Sequence, residues 1–412
     1  MKENVYDVLK ERGFVAQVSD EPALKKMLSS ERVTFYIGFD STSTSLHAGS
    51  LVPIMAMMHL QKAGHRPIAI VGGGTTMVGD PSGRDEMRQM LSEKTIRDNG
   101  RMIHAQLDRY LHFDGETSLA LDNADWILPL KYVEFLREIG RHFSVNRMLA
   151  AEAYKMRLEK GLSFIEFNYQ LLQAYDFLTL YRDYGCKLQM GGDDQWGNIL
   201  AGVDLIRRVE GGTAGALTFP LLTTATGAKM GKTAAGAIWL DADRLKPYDY
   251  YQYWINCDDR DVEKFLNLFT FLPMEKIKEI ASFQGSEIRK AKQILAFEAT
   301  KITHGERAAQ EAEAAAAAAF SPSTGGDLDA LPTTAITPKR LAAGVSPLDL
   351  FVETGLSASR GEAKRLVRQG GMYVNDERID SLESLLTEKN LTPDGILLRA
   401  GKKKYHRIVV RD

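Results

Sequence analysis

Three groups of residues have the types and spacing that chemistry needs. Lys229 and Lys232 stand three apart in LTFPLLTTATGAKMGKTAAGAIWL, residues 217–240, a Thr/Gly/Ala-rich stretch without an acidic residue. Lysines so placed suit the neutralisation of charge developing on transferring phosphates, and a mobile loop would deliver them late, in the transition state. A solvated basic loop has the same composition. The second group lies in VTFYIGFDSTSTSLHAGSL, residues 33–51, where Asp40, five hydroxyl residues and His47 separate a short apolar run from a helix-like one. A loop that leaves the carboxyl end of a strand and feeds a helix N-terminus meets free N–H groups and a favourable dipole, which is a phosphate site in physical terms. A Ser/Thr-rich solvated turn reads the same way. The third group is Tyr169, Gln173 and Asp176 in SFIEFNYQLLQAYDFLTLY, at i, i+4 and i+7. They fall within about 60° of one helical face, whereas Leu171, Leu172, Tyr175 and Leu178 take the others. An exposed face usually carries Lys or Glu; tyrosine, glutamine and aspartate on an otherwise apolar helix point to a polar ligand or partner.

The elements that must position these groups follow from periodicity. Val33–Phe39 predicts an interior strand and Gly49–Gly64 a helix ending at a glycine; PIAIVGG, residues 67–73, predicts a second strand one helix length on. That is a βαβ unit, hence a parallel sheet in an α/β fold. GGGTTMVGDPSGR, residues 72–84, is a glycine-rich loop on the same edge, a ligand wall or a plain surface turn. CKLQMGG, residues 186–192, predicts a third strand followed by DDQWGN and a helix over Ile199–Arg208. Gly191, Gly192 and Asp194 then lie where a carboxylate accepts from ribose hydroxyls, unless Asp193 and Asp194 only cap the helix. The absence of GxGxxG argues against the usual dinucleotide site. Residues 1–30 predict two short amphipathic helices, with Ser19 or Asp20 as cap and Pro22 early in the second. Ser92 to about Gly161 reads as mostly helical with no chemical motif, and 247–318 as helical throughout, ending in an alanine run.

At 412 residues the chain is too long for one ordinary core, and its 44% apolar content is enough for two or three. The net charge of −2 hides an asymmetry. Residues 339–412 carry 14 Lys and Arg against 10 Asp and Glu, while residues 1–338 carry 38 against 44. The tail is the candidate for a polyanion. Cys186 and Cys257, 71 positions apart, support neither a disulfide framework nor a cysteine zinc site, and a reducing compartment fits best. No segment approaches the roughly 18 uninterrupted apolar residues of a membrane span, and the N-terminus lacks a signal-type apolar core, so a cytoplasmic protein is expected.

SPSTGGDLDALPTT, residues 321–334, has a linker's composition, and a separate module is expected from about Ser346. Its text predicts helix, cap, basic helix, glycine turn and short strand. Arg360, Lys364 and Arg368, at i, i+4 and i+8, form a basic stripe suited to a phosphate backbone, and GKKKYHRI, which holds Lys403, adds a second cluster.

Taken together and in this order, these stretches resemble the bacterial tyrosyl-tRNA synthetases, a family of class I aminoacyl-tRNA synthetases, over nearly the whole chain. His47-Ala48-Gly49-Ser50 is similar to the HIGH signature and Lys229-Met230-Gly231-Lys232-Thr233 to the KMSKS loop. Tyr36, the GDPSG loop, NYQLLQAYD and GGDDQWGN follow the tyrosine branch and not the similar tryptophanyl one. The C-terminal segment resembles the small αL RNA-binding module. The chain departs from the signatures where Ser50 replaces the second histidine, where Gly231 replaces the first serine of the lysine loop, which should make that loop more flexible, and where Thr233 replaces the last serine.

The resemblance implies a Rossmann-like parallel-sheet catalytic domain over 1–220 with a helical dimerisation insertion at about 85–165. A mobile lysine loop and α-helical anticodon-side domain would follow over 221–320, then a linker over 321–345 and the α+β RNA-binding module over 346–412. It implies attack of tyrosine's carboxylate on the α-phosphate of ATP, then transfer of the tyrosyl group to the terminal adenosine of tRNA(Tyr). Thr42, His47, Lys229, Lys232 and Thr233 would act on the phosphates, with Mg2+ carried on ATP and pyrophosphate and no metal held by the protein. Tyr36 and Asp176 would bracket the phenolic hydroxyl, Asp80, Tyr169 and Gln173 would receive the ammonium group, and Gln195 the carboxylate. Gly38, Asp40, Gly49, Ser50, Gly192 and Asp194 would face ATP. A homodimer without a membrane partner is expected. The competing expectations are a tryptophanyl-tRNA synthetase and a non-catalytic RNA-binding protein of synthetase-like fold.

Overall fold

The structure, a computed structural model, describes residues 3–82, 90–150, 152–227, 230–233, 236–319, 331–375, 377–392, 395–401 and 404–411. The chain forms two compact units. The first comprises residues 1–233, 237–244 and 257–291, the second 234–236, 245–256 and 292–412. The helical stretch expected as one region over 221–320 is thus shared between them.

The first unit is built on a five-stranded parallel sheet with β1 (Thr34–Asp40), β2 (Arg66–Gly72), β3 (Leu119–Asp122), β4 (Cys186–Gly192) and β5 (Gly215–Phe219) in the order β3-β2-β1-β4-β5. The expected βαβ unit is present: β1, the helix Leu51–Lys62 and β2, with Thr34 opposite Arg66 and Asp40 opposite Gly72. Gly38 inside β1 costs the strand about 0.5–1 kcal/mol. Phe35, Tyr36 and Ile37, all buried, outweigh it at roughly 1.5–3 kcal/mol each. Chain order reverses between β1 and β4, so a crevice opens at their carboxyl ends, where open α/β sheets bind ligands. The outer edge of β5 is covered by residues 16–19, which exchange backbone hydrogen bonds with Ala216 and Thr218. The two N-terminal helices are Val5–Glu11 and Glu21–Ser30; Asp20 caps the second by accepting from the Ala23 N–H.

One expectation is corrected here. The region from Ser92 to Gly161 contains β3, an edge strand paired along β2 from Ile68–Leu119 to Val71–Asp122. Four residues are too few for a period-2 pattern to stand out among helices. The strand forms because β2 supplies its partners.

In the second unit the C-terminal sheet runs Glu377–Arg378, Met372–Val374, Ile396–Ala400, Lys404–Val410 and Thr333–Ile336. All neighbours are antiparallel except the last pair, which is parallel. The helices Pro347–Glu353 and Arg360–Arg368 pack on it through Leu350, Phe351, Ala363 and Val367. The stretch read as linker therefore carries ordered structure from Thr333, followed by the helix Pro338–Ala342. The strand's partner lies some seventy residues downstream, beyond any local signal. No described helix is long and apolar enough to cross a membrane.

Candidate active site

The crevice between β1 and β4 holds a cavity of about 820 Å3. One wall is the helix Tyr169–Tyr184, whose capping glycine, Gly185, is left-handed at φ 64°. Its expected polar stripe faces the cavity: Tyr169, Gln173 and Asp176 all line it, while Leu171, Phe177 and Leu178 are buried in the core behind. Tyr36 meets the stripe from β1, its ring 5.3 Å from that of Phe177 and its hydroxyl buried without a hydrogen-bond partner among the described residues. Burial raises the Tyr36 pKa well above its ordinary value, and the Asp176 carboxylate raises it further, so the phenol stays protonated and can donate.

Asp176 is 4% exposed, and burial lifts its pKa to about 7 against two hydrogen bonds that oppose the shift. Asn123 Nδ2 donates to Asp176 Oδ2 at 2.9 Å and Trp126 Nε1 to Oδ1 at 2.7 Å. Asn123 is itself fixed, its Oδ1 accepting from the Gly74 N–H at 2.8 Å. These two residues sit in the stretch where the sequence offered no chemical motif, and they are a correction to that reading. Gln189 was also missed. It lies opposite Tyr36 in the β1–β4 register, lines the cavity, and its buried Oε1 has no partner among the described residues. A glutamine inside the apolar run CKLQMGG was the available signal.

Asp80 and Gln195 form a second polar cluster. Gln195 Nε2 donates to Asp80 Oδ2 at 2.7 Å and to Asp194 Oδ2 at 3.3 Å, and the Ser82 N–H donates to Asp80 Oδ1 at 2.9 Å. Burial, with Asp40 nearby, lifts the Asp80 pKa to about 6. Asp193 is used structurally, accepting from Gln17 and Thr218 at 2.7 Å, which separates its role from that of cavity-lining Asp194.

The hydroxyl-rich loop after β1 is firmly held. Asn99 Nδ2 donates to the Ser41 carbonyl, and Gln106 Oε1 accepts from the Leu46 N–H and the Ser45 hydroxyl. Ser41 and Ser45 are buried, and Thr42 is exposed outside the cavity lining. His47 caps the turn Ala48–Ser50, its Nδ1 accepting from the Gly49 N–H at 3.0 Å. In the neutral ring the proton then sits on Nε2. Ser50 lines the cavity and makes no side-chain cap bond to the helix it precedes. Gly38, Asp40, Gly49 and Gly192 line it as well.

The segment around Met230 crosses this loop. Ile238 N–H donates to the Gly231 carbonyl, and the Ala48 N–H to the Ile238 carbonyl. Gly231 has φ 79°, and a Cβ there would lie 2.7 Å from Gly49 N. Its glycine is thus required by a left-handed backbone and a close approach, a physical reason that the expectation of added flexibility did not contain. Lys229 lies outside the described residues; Lys232 and Thr233 form a short strand. No group of three His, Cys, Asp or Glu among the described residues could hold a metal ion. In the second unit, Arg360, Lys364 and Arg368 are exposed along one helix, with Arg360 paired to Asp349 at 2.7 Å, and Lys403 lies outside the described residues.

Comparison with known proteins joins this geometry to a family. Residues 28–321 match the family described as "tRNA synthetases class I (W and Y)", and residues 328–408 the "Tyrosine--tRNA ligase SYY-like C-terminal domain". The chain is 54% identical to the tyrosine–tRNA ligase of Desulfatibacillum aliphaticivorans over 100% of both chains, and 56% identical to that of Syntrophus aciditrophicus over 99% of both. The chain belongs to the tyrosine–tRNA ligases. Among solved structures, a C-terminally truncated mitochondrial tyrosyl-tRNA synthetase of Aspergillus nidulans superposes with a TM-score of 0.69 at 30% identity, covering 76% of this chain and 93% of that one. Membership in the tyrosine–tRNA ligases decides between the two class I branches that the cavity alone leaves open.

Two expected outcomes follow from the carboxylates. Trp126→Phe removes one N–H from Asp176 and leaves a smaller aromatic ring in place of the indole. Tyrosine affinity near neutral pH should fall about tenfold, the worth of a hydrogen bond to a charged group. Since that bond lowers the Asp176 pKa, its loss raises it, and equilibrium dialysis should find affinity recovering as the pH is raised. Asp80 must be ionised to receive an ammonium group. With its pKa at about 6 and that of Asp176 at about 7, tyrosine binding should weaken more than about tenfold from pH 7 to pH 5, with proton release on binding near pH 6 measurable by calorimetry in two buffers. The stability effect has the opposite sense. Folding raises both pKa values from 3.8, so the cost of the buried charges is absent below about pH 4 and grows as the pH rises through about 6 and 7.

Proposed function

We propose that this enzyme activates L-tyrosine with ATP, releasing pyrophosphate, and passes the tyrosyl group to the 3′ end of tRNA(Tyr). The observation that carries the reading is the buried Tyr36 hydroxyl, unpartnered among the described residues, beside the Asp176 carboxylate in the cavity. A phenolic hydroxyl entering between them donates to Asp176 and accepts from Tyr36. Asp80, Tyr169 and Gln173 receive the ammonium group and Gln195 the carboxylate, with Gln189 added to the polar lining.

The carboxylate oxygen attacks the α-phosphate, a P–O bond forms as the bond to the leaving pyrophosphate breaks, and no covalent enzyme intermediate is needed. Catalysis on this reading is positioning plus charge stabilisation. His47 donates from Nε2, Thr42 and the KMGKT lysines Lys229 and Lys232 with Thr233 act on the phosphates, and Mg2+ enters with ATP. Gly38, Asp40, Gly49, Ser50, Gly192 and Asp194 face the nucleotide. The basic helix with Arg360, Lys364 and Arg368, together with Lys403, contacts tRNA phosphates, which makes the module from Thr333 the RNA-binding part and the unit with the parallel sheet the catalytic one. Exposed Tyr132, Val133 and Phe164 support a homodimer joined through residues 125–165. Two cysteines, 71 positions apart, fit the cytoplasm.

The test is ATP–pyrophosphate exchange with tyrosine, with tryptophan and with no amino acid. Exchange with tyrosine alone is expected. Exchange with tryptophan, or with neither, contradicts the reading.

A further inference from the structure

The start of the lysine segment is held from outside the cavity by a buried carboxylate. Asp261 stands just before the helix Val262–Phe269 and is 2% exposed. Its Oδ2 accepts the Ala225 N–H at 2.8 Å, and its Oδ1 lies 3.0 Å from Lys264 Nζ. Lys264 Nζ in turn donates to the Thr223 carbonyl at 2.8 Å. Two successive sites of the chain leading to Lys229 are therefore gripped, one through a donor and one through an acceptor. Thr223 lines the cavity, as does Met230 beyond, whose N–H donates to the Leu222 carbonyl.

The support is itself rigid. Val262, Phe265, Leu266, Leu268 and Phe269 are buried, and the buried Arg12 guanidinium donates to the carbonyls of Asn267, Thr270 and Leu272 at the other end of the helix. A carboxylate at this depth would be costly without partners, and the partners it has are the lysine segment's amide and the lysine that holds that segment's carbonyl. We infer that Asp261, with Lys264, is a positioning residue for adenylate formation: the pair fixes Thr223 and Ala225, the stem from which the lysine segment leaves.

The inference rests on the reading that Lys229 and Lys232 serve the phosphates, and the experiment separates the two. The full chain is prepared as Asp261→Ala, Asp261→Asn, Lys229→Ala and Lys232→Ala. Tyrosine-dependent exchange is measured against ATP, and tyrosine affinity by equilibrium dialysis without ATP. Asp261→Ala should lower kcat/KM for ATP at least tenfold while tyrosine affinity stays within twofold. Asp261→Asn, which keeps an oxygen to accept the Ala225 N–H, should recover to within about threefold of the parent. Each lysine variant should lose more than Asp261→Ala. Normal exchange in Asp261→Ala beside collapsed lysine variants overturns the positioning role alone. Normal exchange in the lysine variants overturns the reading beneath it. A parallel loss of tyrosine binding in Asp261→Ala, or no recovery in Asp261→Asn, also overturns the inference.

Discussion

Asp176→Ala should lower tyrosine-dependent ATP–pyrophosphate exchange by about a thousandfold, roughly 4 kcal/mol, while ATP binding stays near that of the parent. The substitution removes the acceptor for the substrate hydroxyl. It also leaves Asn123 Nδ2 and Trp126 Nε1 without the carboxylate they serve, so the pocket loses its reader and exposes two unsatisfied donors. Each buried polar group left unpaired costs about 1–3 kcal/mol, and these costs add to the lost contact. The fold should survive, because the residues that secure the helix Tyr169–Tyr184 to the core are Leu171, Phe177 and Leu178, on other faces. Measured exchange with tyrosine near the parent rate would remove Asp176 from the reading of the hydroxyl.

The second large effect concerns the tail. A chain ending at residue 320 should retain tyrosine-dependent exchange within about threefold and lose roughly a hundredfold in aminoacylation of tRNA. The cut belongs there and not at Ser346, because Thr333–Ile336 is a strand of the C-terminal sheet, bonded to Arg407–Val410; a chain keeping it would end in an unpaired strand. The expected loss comes from the exposed Arg360, Lys364 and Arg368, whose phosphate contacts would weaken with salt in the full chain. Added salt should therefore depress charging by the full chain more steeply than charging by the truncated one. Equal loss of exchange and charging on truncation would give the module a structural role.

What could be read beforehand was whatever depended on local pattern. The stripe of Tyr169, Gln173 and Asp176 was legible because helical period and residue type sufficed to single it out. The β1–helix–β2 unit was legible because interior parallel strands are continuous apolar runs. The partners of Asp176 were not, since Asn123 and Trp126 lie 53 and 50 residues away and follow a strand of four residues that only β2 stabilises. The need for Gly231 was hidden too. Its backbone approaches Gly49, a contact between segments about 180 positions apart, and composition could offer only flexibility as a reason for glycine. The early start of the C-terminal module was lost for the same cause, as Thr333–Ile336 reads as loop until its distant partner is known.

The central claim is that Tyr36 and Asp176 together read the phenolic hydroxyl. The ratio of kcat/KM for tyrosine over phenylalanine, measured by ATP–pyrophosphate exchange in the parent and in Tyr36→Phe, tests it most directly. Tyr36→Phe keeps the ring against Phe177 and removes only the hydroxyl, so the ratio should fall about tenfold with the fold unchanged. A ratio that does not move would contradict the account.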